Sequence, residues 1–193
     1  SFHTSMLSRS KRPCWNMFFN KALRCSRILA YRFSAFGDIA MTVPVFREFL
    51  EQNPDVEIVV HDTALTDENA EELIGSYDLV IDGCDNFLTR YTVNDVCVKL
   101  SKTLVYGSIL GFQGQVAVFN HKGSRNLRHI FPEPPNAEDV PNCSDNGVLG
   151  VVPGVIGTLM DKESLKVILE LPVKADVYHL VDLMDFRVTE LRY

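Results

Sequence analysis

The chain has 193 residues, 46% of them hydrophobic and 23% charged, which is enough apolar side chain for one buried core, too little length for two full-sized domains, and no composition for disorder or collagen-like repeats. Glycine and proline interrupt the longest apolar runs, such as 147–160, short of the roughly 18 consecutive apolar residues that a membrane-spanning helix needs. The net charge of −6 is split, because residues 1–50 hold eight of the nineteen Lys/Arg and two of the twenty-five Asp/Glu; the bases there are scattered among Trp15, Met17, Phe18 and Phe19, so no nucleic-acid partner is read from them.

Cys14, Cys25, Cys84, Cys97 and Cys143 make an odd count with no C-x-x-C pair. That argues against a disulfide framework and a tetrathiolate zinc site, and suits a reducing cytoplasm. Residues 1–26 lack the layout of a secretory signal and are read as a disordered leader, with 27–193 as a single α/β domain.

From Arg27 the pattern becomes ordered. Residues 28–31 are a short apolar strand, 34–38 a turn, and 43–52 have helical spacing closed by Asn53-Pro54. Residues 56–60 are expected as a buried strand. Thr66 is expected to cap a helix with Asp67 and Glu68 in its first turn and Gly75 at its end. Residues 79–81 form the next strand, 82–86 a tight loop, 88–100 a helix and 104–106 a further strand. Strands alternating with helices predict an α/β fold built on a parallel, doubly wound sheet. Beyond Gly107, residues 115–120 alternate as a half-exposed strand. A Pro-, Asn- and Asp-rich connection over 121–146 is long enough for a crossover that covers a site. A helix is expected over 148–170, with Pro172 beyond it, and then an antiparallel hairpin of 178–183 and 187–192 about Met184-Asp185. Antiparallel strands and a C-terminal hairpin thus extend the parallel sheet.

The loop Asp82-Gly83-Cys84-Asp85-Asn86 falls at the carboxyl end of a parallel strand, where doubly wound sheets place their ligands. Asp82 and Asp85 suit a hard cation such as Mg²⁺ arriving with nucleotide phosphates; the plainer reading is that Asp85 or Asn86 caps the next helix. Arg90, in the first turn of that helix, has two open roles: gripping a phosphate bidentately, or pairing with a surface carboxylate. Cys143 lies in Pro141-Asn142-Cys143-Ser144-Asp145-Asn146-Gly147, a polar loop before a helix that favours a nucleophilic thiolate; the competing reading is an inert small hydrophobe. Cys84 and Cys97 are expected in the core. The histidines show no metal spacing such as H-E-x-x-H.

Three segments resemble the ThiF/MoeB/HesA family, relatives of ubiquitin-activating enzymes, over about residues 53–193. They are Tyr77-Asp78-Leu79-Val80-Ile81-Asp82-Gly83-Cys84-Asp85-Asn86-Phe87-Leu88-Thr89-Arg90-Tyr91-Thr92-Val93-Asn94, then Val105-Tyr106-Gly107-Ser108-Ile109-Leu110-Gly111-Phe112-Gln113-Gly114-Gln115-Val116, and the stretch from Phe131-Pro132-Glu133-Pro134 through Cys143 to Gly157. The resemblance implies a Rossmann-like fold and ATP-dependent adenylation of the C-terminal Gly-Gly of a ubiquitin-like sulfur-carrier protein, in thiamin or molybdopterin sulfur transfer. It implies Mg²⁺-ATP binding by Asp85, with Asn86 and Asp82 beside it, and Arg90 at the nucleotide site. Cys143 matches the crossover-loop cysteine, which in some members takes the carrier covalently. A homodimer is implied as well.

The departures are specific. The family's opening Gly-rich turn, which cradles ATP phosphates, has no counterpart in the sequence. Residues 27–45 instead resemble the opening of lipopolysaccharide heptosyltransferases, in which Asp38 would act near the acceptor hydroxyl, so a change of family near 51–56 is expected. Three alternatives follow: a carrier-binding module without catalysis, a chimeric fragment, or a sugar-nucleotide glycosyltransferase. Asn126 and His129 stand where many members carry the first C-x-x-C of a structural zinc site, and no second pair precedes Tyr193, so no zinc is expected. Asp161-Lys162-Glu163 is charged where the family's helix is apolar.

Overall fold

A computed structural model describes residues 28–31, 47–54, 57, 59, 61, 63–135 and 149–193. Among the described residues six strands, β1 (Ile28–Tyr31), β2 (Leu79–Asp82), β3 (Thr103–Leu110), β4 (Gln113–Phe119), β5 (Val177–Asp182) and β6 (Arg187–Arg192), form one sheet in sequence order. The first three are parallel, in the register Leu29↔Val80↔Leu104, and the last three continue antiparallel. Among the described residues they are accompanied by the helices α1 (Ala70–Gly75), α2 (Phe87–Lys99), the short α3 (Leu127–Ile130) and α4 (Val151–Ile168). Residues 47–52 are helical too, closed where Asn53 donates its amide to the Phe49 carbonyl at 3.0 Å.

The period-2 alternation along β3 divides the core between the two faces of the sheet. Leu104 and Tyr106 pack with Val93 and Cys97 of α2 and with Ile74 of α1, whereas Val105 packs with Val152, Ile156 and Met160 of α4. Helices on both faces give the doubly wound arrangement expected. Two glycines let α4 lie close against the sheet: a Cβ at Gly107 would come within 2.0 Å of Met160 Sδ, and one at Gly114 within 2.2 Å of Ile156 Cδ1.

The helix ends follow their local chemistry. Asn86 starts α2 by accepting the Thr89 amide at 2.8 Å. At its far end Ser101, with φ +54°, donates to Val98 while Lys102 donates to Cys97. Glu170, also at φ +54°, ends α4 in the same way, with Glu170 donating to Val167 and Leu171 to Lys166. Both are Schellman caps without glycine.

Three expected elements differ. The strand expected as half-exposed is β4, in which residues 116–119 are all buried because both faces of the sheet are covered there. Glu57 and Val59 belong to no strand and are exposed, Val59 by 56%; Val56, Ile58 and Val60 lie outside the described residues. The run has strand composition, but among the described residues β1 pairs only with β2 and offers it no ladder. The helix expected from Thr66 begins instead at Ala70. Asn69 reaches back to accept the Thr66 amide at 2.8 Å and donates to the Ala64 carbonyl at 2.9 Å, and this local bonding holds 67–69 in a turn. The turn expected at 34–38 lies outside the described residues.

Candidate functional site

The loop after β2 stands over a buried charged pair. Asp82 is 0% exposed. Its Oδ1 accepts the Cys84 amide at 2.9 Å, and its Oδ2 faces Arg90 Nε at 3.9 Å. Arg90, in the first turn of α2, is 7% exposed. Its Nη1 donates to Tyr106 Oη and Ser108 Oγ, each at 3.0 Å, and its Nη2 donates to the Cys84 carbonyl at 2.5 Å. The guanidinium carbon lies 4.9 Å from the Tyr106 ring centroid. The parallel register that sets Asp82 opposite Tyr106 is what assembles this cluster.

Burial pushes the Asp82 carboxyl above its ordinary value, opposed by the Arg90 charge and by hydrogen bonds from Cys84. Burial also raises the Cys84 thiol, and the neighbouring Asp82 charge adds to it. Cys84 and Cys97 are both buried free thiols, as expected of core residues, and neither has the lowered pKa of a nucleophile.

The structure distributes the candidate residues unequally. Asp82 lies beneath the loop and Asp85 is exposed upon it, so the two carboxylates do not face one ligand together. Asn86 is the helix cap, and Asp85 makes no side-chain hydrogen bond among the described residues. Arg90 faces a buried carboxylate rather than the surface one of the plainer reading. Cys143 and Asp38 lie outside the described residues.

Tyr106 and Ser108 are site residues that the sequence reading missed. So are the polar residues of α2 that anchor the start of the crossover. Asn94 is 1% exposed and accepts the Leu127 amide at 3.0 Å. The Tyr91 hydroxyl lies 2.9 Å from the Phe131 carbonyl and 2.8 Å from that of Glu133. Asp95 takes Arg128 Nε and Nη2 on its two oxygens, each at 2.7 Å. The signal for them is the spacing of four in Asn86, Arg90 and Asn94, and again in Tyr91 and Asp95, which gathers each set on one helix face.

Asn126 and His129 form a reciprocal capping box on α3, with Asn126 donating its amide to His129 Nδ1 at 3.2 Å. Among the described residues no three His, Cys, Asp or Glu side chains group as metal ligands. Glu163 is 6% exposed on α4 and pairs with Lys166 and Lys162 at 2.7 and 2.9 Å, which accounts for a charged run in a packed helix. Among the described residues no helix is long and apolar enough to cross a membrane.

A model of the ThiF family matches residues 27–193. The chain belongs to the ThiF family. It is 48% identical over 124 residues to the adenylyltransferase and sulfurtransferase MOCS3 of Culex quinquefasciatus, covering 64% of this chain and 28% of that protein. It is 49% identical over 122 residues to the sulfur carrier protein adenylyltransferase of Thermus thermophilus, covering 61% of this chain and 45% of the relative. The matches thus span less than half the length of these relatives. Among solved structures, E. coli MccB with ATP superposes with a TM-score of 0.71 at 9% identity, covering 91% of this chain and 66% of that one. PaaA superposes with a TM-score of 0.65 at 10% identity, covering 98% and 86%. These two likenesses bear on the fold alone, which is Rossmann-like.

The family match corrects one expectation. It begins at residue 27, so the segment read as a heptosyltransferase opening is covered by the ThiF family, and the comparisons give no support to a second family there. A short apolar strand, a turn and a helix are common to many doubly wound folds, which is why about 25 residues can look like either.

Proposed function

We propose that this ThiF-family domain adenylates the C-terminal Gly-Gly of a ubiquitin-like sulfur-carrier protein with Mg²⁺-ATP. The carrier's terminal carboxylate attacks the α-phosphorus, the bond to the bridging oxygen breaks, and pyrophosphate leaves with that electron pair. The observation that carries the reading is the loop between β2 and α2 inside the ThiF match, where an exposed carboxylate stands at a ligand-binding edge of the sheet.

The donor chemistry fits a hard cation. Mg²⁺ takes one or two carboxylates and completes its shell with water and phosphate oxygens, and Asp85 is an exposed carboxylate free of side-chain hydrogen bonds among the described residues. Asp85 would hold the ion, which neutralises phosphate charge when bound. Asp82, with its carboxylate buried, supports the loop from below. Asn86 orders the N-terminus of α2, whose amides favour anions. Cys143 is the proposed acceptor for a covalent carrier adduct after adenylation. A homodimer and a reducing cytoplasmic setting belong to the same reading.

ATP–pyrophosphate exchange with a panel of Gly-Gly-ended sulfur carriers tests it, run beside Asp85→Ala. The expected result is carrier-dependent exchange that falls about 100-fold or more in the variant. No exchange with any carrier from folded protein would overturn adenylation, and carrier binding without exchange would assign a non-catalytic binding module. Unchanged exchange in Asp85→Ala would remove Asp85 from the metal site.

A further inference from the structure

Cys84 is held by its backbone on both sides. Its amide donates to Asp82 Oδ1 at 2.9 Å, and its carbonyl, which belongs to the peptide bond leading into Asp85, accepts Arg90 Nη2 at 2.5 Å. Arg90 is in turn fixed to β3 through the hydroxyls of Tyr106 and Ser108. With Nη1 serving two hydroxyls, Nη2 serving the carbonyl and Nε facing Asp82, a single Nη2 hydrogen is left over. A bidentate grip on phosphate needs two parallel N–H groups at an accessible edge, and this side chain is 8% exposed.

We propose that Arg90 is a positioning residue rather than a phosphate ligand: it ties the Cys84–Asp85 peptide to Tyr106 and Ser108 of β3, and so fixes where Asp85 meets Mg²⁺-ATP. The inference rests on the adenylation reading for its ligand and on the hydrogen bonds alone for the tie. Gly83 and Asp85 on either side of the buried Cys84 are both exposed, so the Asp85 end of the loop depends for its position on the backbone bonds to Cys84 rather than on packing of its own. A displacement of about 1 Å in a positioning group can cost roughly 100-fold in rate, which is why a metal-binding carboxylate on an exposed loop needs such a tie.

The test is the double variant Tyr106→Phe/Ser108→Ala, which removes the anchors of Arg90 and leaves Arg90, Asp82 and the loop intact, together with Arg90→Lys, which keeps the charge and loses the planar fork. In nucleotide-free protein, exchange of the Cys84 amide, which is bonded to Asp82 Oδ1, should accelerate about tenfold in both, with the amides of Leu104 and Val105 unchanged as the control for folding. In the exchange assay the Mg²⁺ concentration at half-maximal rate should rise several-fold in both. A direct phosphate ligand predicts the reverse, with the double variant at wild-type values and Arg90→Lys largely rescued; that pattern, or unchanged amide exchange at the loop, would overturn the proposal. If the wild type shows no carrier-dependent exchange, the adenylation reading fails by itself, and the amide arm still decides whether Arg90 fixes the loop.

Discussion

Arg90 Nε lies 3.9 Å from Asp82 Oδ2 with both side chains inside the protein, and neither of these two atoms has a hydrogen-bond partner among the described residues. The pair is therefore held by charge and by what surrounds it. Arg90→Met removes the cation and leaves a carboxylate alone in the core, at a cost of about 3–5 kcal/mol. Burial already pushes the Asp82 carboxyl above its ordinary 3.8, and the Arg90 charge is the largest influence opposing that rise. Without Arg90 the carboxyl rises further. A group whose folded pKa exceeds its unfolded one binds its proton more tightly when folded, so its stabilisation is full at acid pH and lost as pH climbs through the folded value. Urea denaturation of Arg90→Met should show a larger deficit at about pH 8 than at about pH 5; equal deficits would mean that Asp82 is not the group left behind.

The two glycines beneath α4 differ in how easily their neighbours yield. At Gly107 the obstacle is the Sδ and Cε end of Met160, an unbranched side chain that can swing aside. At Gly114 it is Cγ1 and Cδ1 of Ile156, at 2.2 Å each, with Cβ at 3.5 Å, on a β-branched residue fixed at χ1 in a helix. Gly114→Ala should cost about 1–3 kcal/mol by overpacking and Gly107→Ala less. Thermal unfolding of the two variants checks the order, and adding Ile156→Ala should recover part of the loss at Gly114. The opposite order would contradict this account of the packing.

What was legible in the sequence was local. The strand over 28–31, the helix after Asn86 and the C-terminal hairpin each advertise their period and their ends within a dozen residues, and all three are present. The loop over 82–86 was legible as a candidate site because a strand ends there and a helix begins. The partners inside it were not. Arg90 meets Tyr106 and Ser108 only because β2 and β3 align Asp82 with Tyr106, a register that no window of adjacent residues contains. Thr66 failed for a related reason, since residue type suggests a cap, but the backward reach of Asn69 decides where the helix starts.

Glu170 sits at φ +54° in the Schellman cap of α4, a conformation that costs an L-residue roughly 1–2 kcal/mol and glycine almost nothing. The side chain is exposed, so little packing is lost with it. Glu170→Gly should stabilise the domain by about 0.5–1 kcal/mol after the added entropy of the unfolded chain is counted. A raised denaturation midpoint at constant slope is the expected result. A lowered one would show that the Glu170 side chain does more than occupy the cap.

Asp95 and Arg128 clamp the start of the crossover to α2 from the surface. The two 2.7 Å bonds from Arg128 hold the Asp95 carboxyl below its ordinary 3.8, against a smaller opposing effect of burial. Arg128 also donates to the Pro132 carbonyl at 2.7 Å and lies 4.9 Å from the Tyr91 ring centroid, so the clamp reaches the segment just before residues 136–148, which include Cys143. A depressed carboxyl contributes stability that is complete above the unfolded value and lost as pH falls through the folded one. The difference in melting temperature between wild type and Asp95→Asn should therefore hold steady from neutral pH down to about 5 and disappear below the ordinary aspartate value. Both side chains are well exposed, at 39% and 45%, so added salt should shrink the difference at neutral pH. A difference that grows on acidification would have the wrong sign for this pair and would place the origin of the effect elsewhere.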